Sequence, residues 1–300
     1  MFTSIRSFDG LQAEARALAP VPAAVVAAGE RHVLDAALHA AREGLIEPLL
    51  IGRRDEIEPL CLEHGCSHPL LEAEDDAHAA LLAVQEVKHG RVHMLIKGHL
   101  HTAEFLHPIV RELHGTVRIS HVFVTELARY PRLLLITDAA INIAPDLLAK
   151  ADILHNALAL ARALGERRPN VAVLSAVEDV NPAIVSTLDA AALAKMADRG
   201  HFGDAHVDGP LAFDNAISAE AAAIKGIVSP VAGRADILLM PDLVSGNVLY
   251  KALEYLAGAR FAGIVLGASV PVVLTSRADS EQARLDSIAL AKVAHARMPV

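Results

Sequence analysis

Short apolar runs without polar alternation, separated by longer segments of helical period, restrict the fold of this chain more than any other feature. The runs fall at 23–28, 48–51, 92–96, 122–125, 133–137, 171–175, 236–240, 264–266 and 272–275. A strand that is apolar at nearly every position has both faces covered, and in parallel sheets helices supply that cover. The segments between them, 31–43, 76–88, 103–113, 145–164, 182–199, 246–256 and 279–296, read as helices. In 145–164, for example, Leu147, Leu148, Ile153, Leu154, Leu158 and Ala161 recur at the steps of one helical face. Repeated strand–helix units of this kind predict an α/β fold of doubly wound sheets. The 300 residues suffice for about two such domains. No Gly/Ser/Pro-rich linker separates them; 125–131, ending at Pro131, reads as a crossing and 267–271 as a return.

The same composition excludes several functions. A net charge of −9, with 3% aromatic residues and no tryptophan, leaves neither the basic footprint nor the stacking surface of a nucleic-acid binder. No apolar run approaches the ~18 residues of a membrane span, and Met1-Phe2-Thr3-Ser4-Ile5-Arg6 lacks the layout of a signal peptide. Cys61 and Cys66 are too few for a disulfide framework, and two thiols on a helix and its following turn read as small hydrophobes. These points set the expectation of a cytoplasmic protein. The dinucleotide fingerprint, the P-loop and the G-x-S-x-G elbow are all absent. His99 and His101, with His93 and His107 nearby, invite a metal reading, but no zinc-site spacing accompanies them and solvated imidazoles are the simpler account.

Open α/β sheets bind ligands at the carboxyl ends of their strands, and four segments place polar residues there. Lys97-Gly98-His99-Leu100-His101-Thr102 follows 92–96, with Thr102 placed to cap the next helix. Arg118 and Ser120 precede 122–125 and share one side of an extended segment. Pro241-Asp242-Leu243-Val244-Ser245-Gly246-Asn247, running on to Lys251, has the strand–turn–helix layout that presents N–H groups to an anion, with Ser245 as the expected cap. Thr275-Ser276-Arg277-Ala278-Asp279-Ser280 opens the last helix, where Arg277 offers a fork matched to phosphate oxygens and Asp279 or Ser280 can cap.

In this order, the pieces resemble the phosphate acetyl/butyryltransferase family. Those that match are Lys97-Gly98 with His101-Thr102, Arg118-Ile119-Ser120, Asp208-Gly209-Pro210-Leu211 with Asp214, Ser229-Pro230-Val231-Ala232-Gly233, Pro241-Asp242-Leu243 with Gly246-Asn247, and Ser276-Arg277. The likeness runs from about residue 20 to the C-terminus, and 274–280 with Ser287-Ile288-Ala289-Leu290-Ala291 is closer to the butyryltransferase branch.

The resemblance implies two α/β domains like those of isocitrate and isopropylmalate dehydrogenases with a cleft between them, here 1–126 with 268–300, and 127–267. It also implies reversible transfer of a short acyl group, acetyl to butyryl, between coenzyme A and inorganic phosphate by direct attack in a ternary complex. Ser276 and Arg277 would be catalytic, and Arg118, Ser120, Lys97 and Thr102 would bind phosphate. Asp208, Asp242, Ser245, Gly246, Asn247 and Lys251 would line the coenzyme A side. Coenzyme A enters as a substrate, with no permanently bound cofactor and no metal. The expected partners are acyl-CoA, phosphate, acyl phosphate and further copies of the chain in a homodimer or larger assembly. The acetyl branch carries an aspartate seven residues after the motif serine as its proposed thiol base. Here that position is Ala283, and neither Asp279 nor Asp286 occupies it, so the base is unassigned.

Two other readings remain at this point. A metal- and NAD-dependent decarboxylating dehydrogenase of the same fold would use Asp208, Asp214 and Asp242 as ligands and Tyr250-Lys251 as an acid–base pair. A non-catalytic acyl-CoA or phosphate-binding protein is suggested by Ala283, and the intact Ser276-Arg277 argues against it.

Overall fold

In a computed structural model, which describes residues 4–275 and 279–298, each apolar run lies on a strand and each segment of helical period on a helix. The chain begins with α1 (Phe8–Ala17), β1 (Val21–Val26), α2 (Arg31–Arg42), β2 (Ile46–Gly52), α3 (Arg54–His64), β3 (Leu70–Glu72), α4 (Asp76–Lys88), β4 (Met94–Lys97) and α5 (Thr102–Glu112). There follow β5 (Ser120–Glu126), β6 (Leu134–Thr137), α6 (Leu147–Ala163), β7 (Asn170–Leu174), α7 (Val185–Asp198) and β8 (His206–Leu211). The chain continues through α8 (Phe213–Ile217), α9 (Ala219–Ile224), β9 (Ile237–Leu239) and α10 (Leu243–Ala257). It closes with β10 (Arg260–Leu266), β11 (Val272–Val273) and α11 (Glu281–Arg297).

These elements form two units: Phe8–Ile119 with the segment from Ala262 onward, and Ser120–Phe261 with the residues up to Ser7. The divisions fall at 119/120 and 261/262, earlier than the sequence expectation, because β5 pairs with β6 and β10 runs on towards β11.

In the first unit the strand order is β3-β2-β1-β4-β11-β10, parallel throughout except for the antiparallel β10–β11 pair. β1 shows why this sheet forms: Val21, Ala23, Ala24, Val25 and Val26 are all buried, and each such valine contributes about 1.5–3 kcal/mol by leaving water. α4 packs on β1 and α2 on the neighbouring β2, with Val33, Leu34, Ala37 and Leu38 of α2 buried after Glu30 caps the helix through the Val33 amide. α11 packs on α1 and α2 and buries two charged residues. Asp286 accepts from Gln12 and Gln282, and Lys292 donates to the carbonyls of Leu18 and Gly44 at 3.0 and 2.7 Å. Those bonds offset the cost of burying the charges.

The second unit has the order β5-β6-β9-β7-β8, with β5–β6 antiparallel and the rest parallel. α6 is buried on nearly every side, from Ala149 and Ala151 to Leu160 and Ala163, which explains its largely apolar sequence.

Apart from α1, whose Phe8, Leu11 and Ala15 form a buried face, the elements not expected from the sequence sit where its signal is weakest. β3 and β8 are edge strands, half-buried and partly polar, so neither forms an apolar run. α3 carries Pro59 and buries only Ile57, and α8 and α9 are short. Among the described residues, no helix is long and apolar enough to cross a membrane.

Candidate active site

Lys97 ends β4 and is buried, with Nζ donating to the Gly98 carbonyl at 3.2 Å. Parallel pairing of β4 with β11 sets Ile96 against Val273, so the two strand ends coincide and Thr275 reaches the same place as Lys97. Together with Gly98, His99, Glu30 and Arg284, they line a cavity of about 110 Å³. Gly98 is required there, because a Cβ would lie 2.3 Å from the carbonyl oxygens of Val26 and Ala27. Its own N–H and that of His99 donate to those carbonyls at 2.8 and 3.0 Å. Ala27 adopts φ 57°, a left-handed conformation that costs a non-glycine residue about 1–2 kcal/mol. Strain of this kind concentrates at functional sites. Ser276 and Arg277, the catalytic candidates, directly follow Thr275 and lie outside the described residues.

The remaining phosphate candidates fare differently. Thr102 is exposed and is the first residue of α5; His101 takes the cap position without a side-chain bond, so the expected threonine cap does not form. Arg118 is exposed and is not part of the cavity wall that holds Lys97. Ser120 is fully buried in β5, its hydroxyl accepting from Asn156 Nδ2 at 2.8 Å, which removes it from any anion in solvent. A larger cavity in the same unit as Lys97, about 710 Å³, is walled by Glu30, Glu56, Glu74, Asp75, Asp76 and Glu104, with Arg53 and His99 among them. Burial and the charge of Glu104 hold the Asp76 carboxyl above its ordinary value, as expected where carboxylates crowd. Arg53 is itself paired with Asp55 and Glu56, so the wall is acidic on balance and disfavours phosphate.

The second unit has its own concavity of about 810 Å³ at the carboxyl ends of its parallel strands, where Leu174 and Met240 meet Asp242, Ser245 and Leu249 of the α10 turn. Lys150 and Asp189 also line it, as an ion pair of 2.6 Å with little exposure. Asp242 rather than Ser245 is the cap of α10: it accepts from the Ser245 amide at 2.9 Å, and the serine hydroxyl donates back to the Asp242 carbonyl. The geometry explains the exchange, since a capping side chain reaches the third helical amide and Ser245 is itself that third residue. Gly246 and Asn247 hold α10 against the loop after β6. A Cβ on Gly246 would lie 2.7 Å from the Asp138 carbonyl oxygen, and Asn247 Nδ2 donates to the Ala139 carbonyl at 3.3 Å. Asp208 lies off this wall, accepting from the Gly209 amide in β8, and so does Lys251, which is exposed beside the Tyr250 ring.

The loop after β6 is what sequence reading missed. Asp138 is buried, and its carboxylate accepts from the amides of Ala140, Ile141, Asn142 and His121 and from Asn142 Nδ2, at 2.7–3.3 Å. The available signal was an aspartate at a strand end, an asparagine four residues on and Pro145-Asp146 opening a helix. His121, beside it, is fully buried with neither ring nitrogen partnered. Burial pushes its pKa down to about 4 against the opposing pull of Asp138, so the ring is neutral.

The acid–base assignments also become clearer. Asp286, one of the aspartates near the motif serine in sequence, is fully buried and bonded to Gln12 and Gln282. Ala283 stands in the first turn of α11, its amide capped by Ser280. The dehydrogenase constellation is dispersed: Asp214 pairs with Lys225, Asp242 caps α10, and Tyr250 stacks on Phe123 at 4.1 Å. Among the described residues, no group of three or more His, Cys, Asp or Glu side chains is arranged to hold a metal ion.

Comparison with known proteins gives a consistent assignment. Residues 72–292 match the family described as Phosphate acetyl/butaryl transferase. A phosphate acetyltransferase of Rhizobium meliloti is 49% identical over 97% of this chain and 94% of its own length. A phosphate butyryltransferase of Clostridium acetobutylicum is 42% identical over 96% and 97%. The crystal structure of a branched-chain phosphotransacylase from Enterococcus faecalis superposes with a TM-score of 0.82 at 31% identity, covering 92% of this chain and 99% of that one. The mixed α/β fold and these relatives define an acyltransferase. The chain belongs to the phosphate acetyl/butyryltransferase family.

Proposed function

We propose that the protein transfers an acyl group of two to four carbons between coenzyme A and inorganic phosphate by direct attack of one bound substrate on the other. The observation that carries this reading within the family is the coincidence of Lys97 and Thr275 at adjacent strand ends, immediately before Ser276-Arg277. Arg277 and Lys97 are the cations offered to phosphate, with Arg118 as a further candidate, and Ser276 is the hydroxyl offered to the acyl phosphate. Charge grows on the departing phosphate as the thioester forms, so cations that bind it best at that moment lower the barrier. A free thiol of pKa near 8.5 is only ~3% thiolate at pH 7, and fixed positive charge raises that fraction. Proximity in a ternary complex supplies about 7–11 kcal/mol without a covalent intermediate. On this reading Asp242 and Ser245 belong to the coenzyme A side, at the cavity wall of the second unit.

The isocitrate dehydrogenase-like description of the fold accords with two α/β units of which one is built from both ends of the chain. A homodimer accords with α10: Gly246 is its only buried residue, while Val244, Val248, Tyr255 and Leu256 are 65%, 63%, 69% and 88% exposed. Apolar surface on this scale marks a contact face.

The test supplies acetyl-, propionyl- and butyryl-CoA with phosphate and follows coenzyme A release with a thiol reagent. Phosphate-dependent release is expected, with Arg277→Ala lowering kcat/KM at least about 100-fold while leaving the circular dichroism spectrum unchanged. Near-normal turnover by that variant would overturn the site assignment.

A further inference from the structure

α3 ends in a left-handed turn that brings the two cysteines of the chain together. Gly65 has φ 61° and ψ 30°, the Cys66 amide donates to the Cys61 carbonyl at 2.9 Å, and the Gly65 amide donates to the Leu62 carbonyl at 3.2 Å. This is the paired hydrogen-bond pattern of the Schellman helix terminus, in which the residue after the left-handed glycine packs against the residue five positions earlier. In most proteins that contact is between two hydrophobic side chains. Here both are thiols, and each is half-buried and open to small reagents. A disulfide needs Cα atoms about 4.4–6.8 Å apart, and the hydrogen bond that closes this turn draws its end residues into that range.

We infer that Cys61 and Cys66 form a reversible dithiol–disulfide pair, oxidised by small disulfides of the glutathione class. The Cys66 thiolate attacks one sulfur of the small disulfide, its S–S bond breaks and one small thiol leaves. The Cys61 thiol gives its proton to solvent and attacks the Cys66 sulfur, expelling the second small thiol and closing the Cys61–Cys66 bond. Two electrons and two protons pass from the protein to make two small thiols. The order of events follows from the environment of Cys61. Burial, the Cys66 thiol and then Glu58 push its pKa up to about 12, so it stays protonated while Cys66 attacks the small disulfide, and it loses its proton only in the closing step. The C-terminal turn of α3 is held against α2 by His64–Asp35 at 3.0 Å and by Arg31–Glu63. These pairs keep the end of α3 in place beside α2.

The experiment exposes the intact protein to oxidised glutathione and reads the non-reduced mass and the number of titratable thiols. The wild type loses both thiols and about 2 Da, carries no glutathione, and regains both thiols with dithiothreitol. Cys61→Ser keeps a lasting glutathione on Cys66, because the resolving thiol is gone, while Cys66→Ser remains largely unmodified. A stable glutathione adduct on the wild type, two unreacted wild-type thiols or a disulfide-linked pair of chains would each overturn the inference.

Discussion

Replacing Gly246 by alanine sets two effects of opposite sign against each other. In the interior of α10, alanine is favoured over glycine by about 0.5–1 kcal/mol, because glycine loses more backbone freedom when the helix forms. Against this, the added Cβ would sit 2.7 Å from the Asp138 carbonyl oxygen, 2.9 Å from Ala139 Cβ and 3.0 Å from Ala139 Cα. Two of these atoms are backbone in a loop whose aspartate is bonded to several of the loop's own amides, so the loop does not yield easily. Overpacking of this kind costs about 1–3 kcal/mol. Moving α10 outward also stretches the Asn247 bond to the Ala139 carbonyl, worth about 0.5–1.5 kcal/mol. The steric cost wins, and Gly246→Ala is expected to lose about 1–3 kcal/mol in urea denaturation. If α10 and this loop wall the coenzyme A side, a displacement approaching 1 Å also lowers kcat/KM by about 100-fold, with the circular dichroism spectrum unchanged. A variant that is more stable than the wild type and equally active would refute both the close approach and its role.

Two further outcomes follow from the second unit. His121 is neutral in the folded chain, with its pKa pushed from 6.5 to about 4, so below pH 6.5 the unfolded chain takes up a proton that the folded chain refuses. Its contribution is present above pH 6.5 and is lost as pH falls towards 4, by roughly 3 kcal/mol at about 1.4 kcal/mol per pH unit. The stability difference between wild type and His121→Leu should shift by that amount across the window, and parallel curves would reject the reasoning. Lys150→Met should cost about 1–3 kcal/mol by leaving the partly buried Asp189 unpaired at the cavity wall. Adding Asp189→Leu should recover much of that loss in a double-mutant cycle, and independent additive losses would show that the pair is not coupled.

The sequence by itself determined the α/β character of this protein, because apolar runs and helical stripes are local patterns that survive any tertiary arrangement. It also located Lys97 at a strand end and Asp242 at a helix start, where motif spacing is a property of the chain. Tertiary structure decided what each residue does there. Thr275 meets Lys97 only because β11 pairs with β4 across the sheet, a register that neither strand encodes alone. Ser120 looked like a phosphate ligand, yet β5 turns it inward to Asn156 of a distant helix. Asp138 was passed over because an aspartate after a strand is an ordinary turn residue until the amides that surround it are known. Cys61 and Cys66 read as inert hydrophobes until a left-handed glycine folded one against the other. Periodicity is set by neighbours in the chain, whereas partners are set by burial and pairing between segments far apart, and those exist only once the chain has folded.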